Sequence, residues 1–329
     1  MALESLIREK GIRKHPLFIL IVTIMVTIGS LVFSYLMFPK FATVLSVAFI
    51  TIGLVPIIYR VIVIEEEKES RTKKHFSTFF ARHFNVIQIY IWIFIGVIIT
   101  FAFAYALLPD GTRLELFSEQ VRTFCIISGD CESNIPMSIA GRASAFAMDA
   151  CKTPGVSTLE SCSLFIFENN VGVMFLAIIL SLVYGAGAIF IIAWNASILG
   201  VFFGEMMLTA NTPQALGLVQ GMLIGHGPPE LLGYIFAALS GAILSAMVAK
   251  NKLEPHELAK VSEDVFFLIF LAVFSIAYGA VLEAAGMLGN EHLYVFGGFF
   301  YALVIILAVL FYGRRPSPEE IRKKIKKKR

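Results

Sequence analysis

The stretch from Val86 to Leu108 holds no charged side chain. At 1.5 Å per residue it is long enough to cross about 30 Å of hydrocarbon. No other feature constrains the fold as strongly. A backbone in lipid must satisfy its own N–H and C=O groups, and for an isolated run of this length that means a helix. Comparable runs lie at Leu17–Phe38, Phe41–Ile64, Val171–Trp194, Leu231–Ala249, Val265–Met287 and Tyr294–Tyr312. A composition with 57% hydrophobic and 16% charged residues, and a mean hydropathy of +0.80, excludes a soluble globular chain. The expectation is an all-α polytopic membrane protein. The first run lacks a small-residue cleavage site and exceeds a signal-peptide core, so it is expected to stay as an anchor.

One further crossing is expected within residues 196–227. Two apolar pieces, Ile198–Ala210 and Ala215–Gly225, flank Asn211-Thr-Pro213, and each is too short to span alone. They read as a broken crossing or a re-entrant hairpin, whose freed backbone must face protein or water. Basic residues favour the cytoplasmic side. Arg8, Lys10, Arg13 and Lys14 precede the first run, and Lys68, Arg71, Lys73, Lys74 and Arg82 follow the second. The tail carries Arg314, Arg315 and a basic cluster from Arg322 to Arg329. Both ends inside require an even number of crossings, and counting the broken segment once gives eight. The localisation expected is therefore the cell membrane, multi-pass, with both termini cytoplasmic.

This divides the chain into a three-helix region, 1–108, with a cytoplasmic loop at 65–85; an extracytoplasmic loop, 109–167; a membrane core, 168–312; and a basic cytoplasmic tail, 313–329. Ser317-Pro-Glu-Glu320 reads as a capping box opening a short basic helix in that tail. Its charges suit anionic lipid headgroups, although they serve equally as a topology signal. Nucleic acid is not an expected partner, since no binding fold or interleaved aromatics accompany the basic residues.

All four cysteines, Cys125, Cys131, Cys151 and Cys162, fall in the outer loop. An even number in one non-cytoplasmic segment, with no zinc or redox spacing, reads as two disulfides. Cys125 with Cys131 and Cys151 with Cys162 is the pairing preferred among three possible ones. Ser157-Thr-Leu-Glu160 reads as a capping box for a short helix leading into the next crossing.

Polar residues gather at the expected outer face. His226 and Glu230 stand at the mouth of an apolar run, Glu168, Asn169 and Asn170 open the fourth crossing, and Glu283 lies about one turn from the outer end of the seventh. Asn195 is placed at the inner face and Glu205 near mid-depth, where a charge needs a cavity or a partner. Other readings compete. Glu230, after Pro228 and Pro229, suits a helix N-terminus; Glu283 suits a snorkelling position; His226 suits a hydrogen-bonded spacer. A cluster of His226 and Glu230 with Glu168, Asn169 or Asn170 is expected, its repulsion relieved by a cation, a shared proton or the imidazolium. The small-residue spacings Gly200/Gly204 and Gly217/Gly221 suggest that the two half segments pack together or against a second copy, and a homodimer is expected.

The run Phe167-Glu-Asn-Asn170, Gly185-Ala-Gly187, Asn195, Gly200, His226-Gly-Pro-Pro-Glu-Leu231 and Gly241 resembles the membrane core of the stage II sporulation protein M family, over about residues 160–312. His-Gly-x-x-Glu is its most specific part; the family usually has Asn-Gly where this chain has Asn195-Ala196. The resemblance implies a membrane anchor for a cell-wall-remodelling complex in sporulating relatives, and it implies a fold more firmly than a function.

Two function classes remain. One is an intramembrane carboxylate site that translocates a cation, proton or small polar solute, as discontinuous helices do. The other is a non-catalytic scaffold or anchor with membrane or envelope protein partners. An intramembrane metal-dependent hydrolase ranks third, because the His-Glu-x-x-His signature is absent. Neither a phosphate loop nor a nucleophile triad is found, so no cofactor and no enzymatic activity are expected, and no metal is assigned.

Overall fold

A computed structural model of the chain describes residues 16–69, 79–128, 151, 158–209, 225–249 and 255–313. Among them the regular elements are helical. They are α1 (Pro16–Met37), α2 (Ala42–Glu69), α3 (Phe79–Leu107), the short α4 (Asp110–Leu116) and α5 (Ser118–Ser128), then α6 (Leu159–Tyr184), α7 (Ile189–Thr209), α8 (Gly227–Ala249), α9 (Pro255–Met287) and α10 (Glu291–Gly313). Seven of these are long and apolar enough to cross a membrane, and α10 has 23 residues.

Close contacts settle their directions. Gly200 of α7 lies against Ile98 and Phe101 of α3, and Gly204 lies against Ala102 and Tyr105. Both helices therefore run the same way. Asn170 of α6 meets Glu230 of α8, while Ile178 and Ser181 meet Gly241, so α6 and α8 are also parallel to each other. Gly279 faces Glu230 whereas Ala272 and Ile276 face Gly233, which makes α9 antiparallel to α8. With tight reversals before α2, α7 and α10, direction alternates: α1, α3, α7 and α9 run one way, and α2, α6, α8 and α10 the other. The eight long helices thus begin and end on the same side.

The parity matches the sequence reading, but the crossings fall elsewhere. The fourth is Leu159–Tyr184 rather than Val171–Trp194, and the fifth is a single continuous helix, Ile189–Thr209. No break is needed for it to span. The chain reverses at Gly185–Ala188, all four residues buried. Gly185 adopts φ +71, and a Cβ on Gly187 would lie 2.2 Å from the Leu180 carbonyl oxygen. Only residues without a side chain tolerate these two positions. Ser181 accepts from the Ala188 N–H at 3.2 Å and completes the turn. Hydropathy misses such a reversal because Gly-Ala-Gly-Ala is itself apolar. Asn195 therefore sits inside α7, donating to the Ile191 carbonyl at 2.8 Å, and not at the membrane face. Gly217 and Gly221 lie outside the described residues, as do the tail motif at Ser317, Cys131 and the basic loop at Ser70.

The Ser157-Thr-Leu-Glu160 expectation shifts by one position. Thr158 is the N-cap and shares a reciprocal capping box with Ser161, and the helix continues directly into the fourth crossing. Upstream, α4 and α5 fold onto the bundle. Thr43 donates to the Leu116 carbonyl at 3.1 Å, Phe117 is fully buried beside Phe101, and Gln120 donates to Ser197 of α7 at 3.1 Å.

The small-residue faces are occupied within the chain. Gly200 and Gly204 receive α3, Gly233 receives α9 and Gly241 receives α6. This corrects the expectation that Gly200/Gly204 pack on the neighbouring half segment or a second copy.

Candidate functional site

The first turn of α8 is built as its sequence suggests. The His226 carbonyl accepts from the Glu230 N–H at 3.2 Å, so His226 stands at the helix start. Pro228 and Pro229 follow where a missing N–H does no harm, and Glu230 is the acidic residue of the first turn. The N-terminal half-charge of the helix favours a carboxylate there. Four residues on, one turn further and on the same face, comes Tyr234.

That face meets α6. Asn170, buried at 7% exposure, donates from Nδ2 to Glu230 Oε1 at 2.9 Å. Its Oδ1 accepts from the Tyr234 hydroxyl at 2.8 Å. One amide thus joins the carboxyl and the phenol of the neighbouring helix. On the opposite flank lies α9, where Gly279 makes the room: a Cβ there would come within 2.7 Å of Glu230 Cγ. Glu283, one turn beyond Gly279 on α9, is near enough for the two carboxyl groups to influence each other electrostatically. Among the described residues no lysine or arginine is paired with either acid.

His226 addresses a different helix. Its Nδ1 lies 3.3 Å from the Tyr294 hydroxyl of α10, with the rings 6.2 Å apart. Tyr294 in turn is close enough to both carboxyls to feel their charge. Glu168 and Asn169 are exposed on α6 and do not turn toward Glu230. Of the three-residue run at the start of the expected fourth crossing, Asn170 is the one that enters the cluster. From Asn170 toward the start of α6, Ile166 and Cys162 pack with Cys151 of the cysteine-bearing loop and with Ala280 and Ala284 of α9. The Cα atoms of Cys151 and Cys162 lie 4.9 Å apart, a separation that a disulfide spans. This apolar patch flanks the cluster between α6 and α9, toward the start of α6.

Glu205 stands apart from these residues. It lies in the last two turns of α7, not at mid-depth, because α7 starts at Ile189 and ends at Thr209. Tyr105 of α3 donates to Glu205 Oε2 at 2.9 Å. The Arg113 guanidinium of α4 sits 5.1 Å from the centre of the same ring. The partner that a charge in this position needs is therefore a phenol, with a cation beyond it.

Tyr234, Gly279 and Tyr294 were not singled out from sequence. The i, i+4 spacing of Glu230 and Tyr234 was a usable signal. Gly279 and Tyr294 had none, since their role depends on which helices become neighbours. Among the described residues no group of three or more His, Cys, Asp or Glu is arranged to hold a metal ion.

Comparison with curated proteins gave no match, and comparison with solved structures gave none either. A family model described as stage II sporulation protein M matches residues 92–285. That span begins in α3 and ends in α9, so it includes the cysteine-bearing loop and stops short of α10. It contains Asn170, the His226–Glu230 motif, Gly279 and Glu283, and it covers more than half of the chain. The protein is a multi-pass α-helical membrane protein and belongs to the stage II sporulation protein M family.

Proposed function

We propose that the Glu230–Glu283 pair binds a proton or a monovalent cation, and that the protein moves this ion, or a small polar solute coupled to it, across the membrane. One observation carries the reading: two acids lie close together between membrane-spanning helices, with an amide donor on one of them and, among the described residues, no basic residue paired to either. Adjacent carboxylates in a low-dielectric setting repel, and a bound proton or cation is the ordinary relief. Two carboxyls with amide and phenol neighbours suit such a species better than a divalent metal, which takes more oxygen ligands. Proteoliposomes loaded with a pH-sensitive dye test this. Wild type should dissipate an imposed proton or sodium gradient faster than empty vesicles, Glu230→Gln and Glu283→Gln should not, and Glu205→Gln should retain the flux. Wild-type flux equal to that of empty vesicles would sink transport.

A second reading rests on the Tyr234–Asn170–Glu230 chain, a satisfied hydrogen-bond relay joining α6 to α8. Under it the cluster is a clamp and the protein a scaffold for envelope-associated partners. Its signature is an Asn170→Ala variant with lowered melting temperature and no change in any flux. Neither reading involves catalysis.

The orientation proposed has both termini in the cytoplasm of the cell, from the loop charges. A cysteine placed at Ser70 should then resist labelling from outside intact cells. We further propose that Cys151–Cys162 and Cys125–Cys131 are oxidised and that the protein is a homodimer. Native mass spectrometry without reductant reads both: twice 36.4 kDa, each chain lighter by four hydrogens. Full thiol titre, or monomer alone in every mild detergent, would remove the respective proposal.

A further inference from the structure

Leu20 and Thr23 of α1 press against α3 at Gly96, where a Cβ would fall 2.8 Å from Thr23 Cγ2. Beyond that close approach a cleft of about 520 Å³ opens between the same two helices. Ile24, Ile28 and Val32 line it on α1, Phe103 and Leu107 on α3, and Leu116 on α4. Thr100, which could interrupt this apolar wall, turns its hydroxyl to the Gly96 carbonyl at 2.8 Å. Ile28, Val32, Phe103 and Leu107 are all exposed on the outside of the bundle. The cleft therefore opens on the lipid-facing side.

Its length limits what can occupy it. Along α1 it runs from Ile24 to Tyr35, about 17 Å at the helical rise. That is roughly half the hydrocarbon thickness. The Gly96 contact closes it at one end and α4 at the other, so a spanning helix of a second copy does not fit. Water has no polar partners along such a wall. We infer that the cleft is a binding site for one acyl chain of a phospholipid from the half of the bilayer on the α4 side. Its headgroup lies at the level of α4, whose Thr112 is in the cleft wall.

The test uses the full-length protein, purified in detergent, delipidated by extended washing and examined by native mass spectrometry after addition of phosphatidylethanolamine. Wild type should carry one phospholipid adduct that survives the wash. Ala104→Phe, which places a ring into the cleft wall, should reduce its occupancy at least tenfold. Leu176→Phe, on the exposed face of α6, should leave it unchanged. Equal occupancy in Ala104→Phe and wild type overturns the inference, as does a detergent adduct in place of the lipid. A second measurement does not depend on how Ala104→Phe folds. Tryptophan introduced by Ile28→Trp should be quenched by dibrominated phospholipid at a severalfold lower mole fraction than tryptophan introduced by Leu176→Trp. Coincident quenching midpoints would show only bulk lipid at both positions and overturn the site.

Discussion

Glu205, near the end of α7, and Glu230, near the start of α8, lie toward the same side of the bundle and keep opposite company. Glu205 accepts a hydrogen bond from the hydroxyl of Tyr105, over whose ring Arg113 lies. Glu230 is held by the Asn170 amide and faces a second acid, Glu283. The first arrangement gives the carboxylate a fixed phenol donor, with the Arg113 guanidinium, itself paired with Asp110, beyond the ring. The second leaves negative charge that no paired side chain offsets among the described residues. Removing water from a charge is tolerated when a partner replaces it, and a partner can be fixed or mobile. Under the proposed function, the contrast gives Glu205 an architectural role and Glu230 a binding one.

The largest effect should come from closing the gap that admits Glu230. Gly279→Val places carbon where Glu230 Cγ already lies at 2.7 Å from a would-be Cβ. Overpacking of this kind costs about 1–3 kcal/mol, read as a lower thermal midpoint in detergent. In a Glu230→Ala background the same substitution should be nearly harmless, because the colliding side chain is gone. Equal penalties in both backgrounds would show that Glu230 is not seated there.

Next in size is Asn170→Ala. It strands two partners, Glu230 and Tyr234, so about 1–3 kcal/mol of stability should go. Tyr105→Phe removes one hydrogen bond to Glu205 and should lose only about 0.5–1.5 kcal/mol. Chemical-denaturation midpoints of the two variants compare them directly, and the reverse order would break the contrast between the sites. The smallest change belongs to Tyr294→Phe, whose contact with His226 is long at 3.3 Å. A loss of about 0.5 kcal/mol is expected. A much larger loss would make His226 and Tyr294 an integral part of the carboxyl cluster.

Much of the site could be read in the chain, although not its depth. His226, Glu230, Asn170 and Glu283 were all named as residues of one polar layer, because ionisable and amide groups among apolar runs are rare and conspicuous. Glu205 was assigned the wrong depth for a traceable reason. The reversal at Gly185–Ala188 is made of residues as apolar as a helix interior, so the run from Val171 to Trp194 looked continuous and displaced the following crossing. Gly200 and Gly204 showed that two helices approach closely without showing which two. Gly279 and Tyr294 carried no local signal at all.

The sequence by itself determined that the chain is a bundle of membrane-spanning helices. That property depends on hydrocarbon thickness, which acts on each segment separately. Its prolines and acid also determined the start of α8, since capping is a matter of a few adjacent residues. Tertiary structure alone decided that Glu230 meets Glu283 while Glu205 meets Tyr105. Between lipid-solvated helices the apolar surfaces are nearly interchangeable, so neighbours are selected by close packing at small residues and by hydrogen bonds between helices. Such choices are made between segments far apart in the chain, at Gly279 and Gly204 as at Asn170, and no single run of residues contains them.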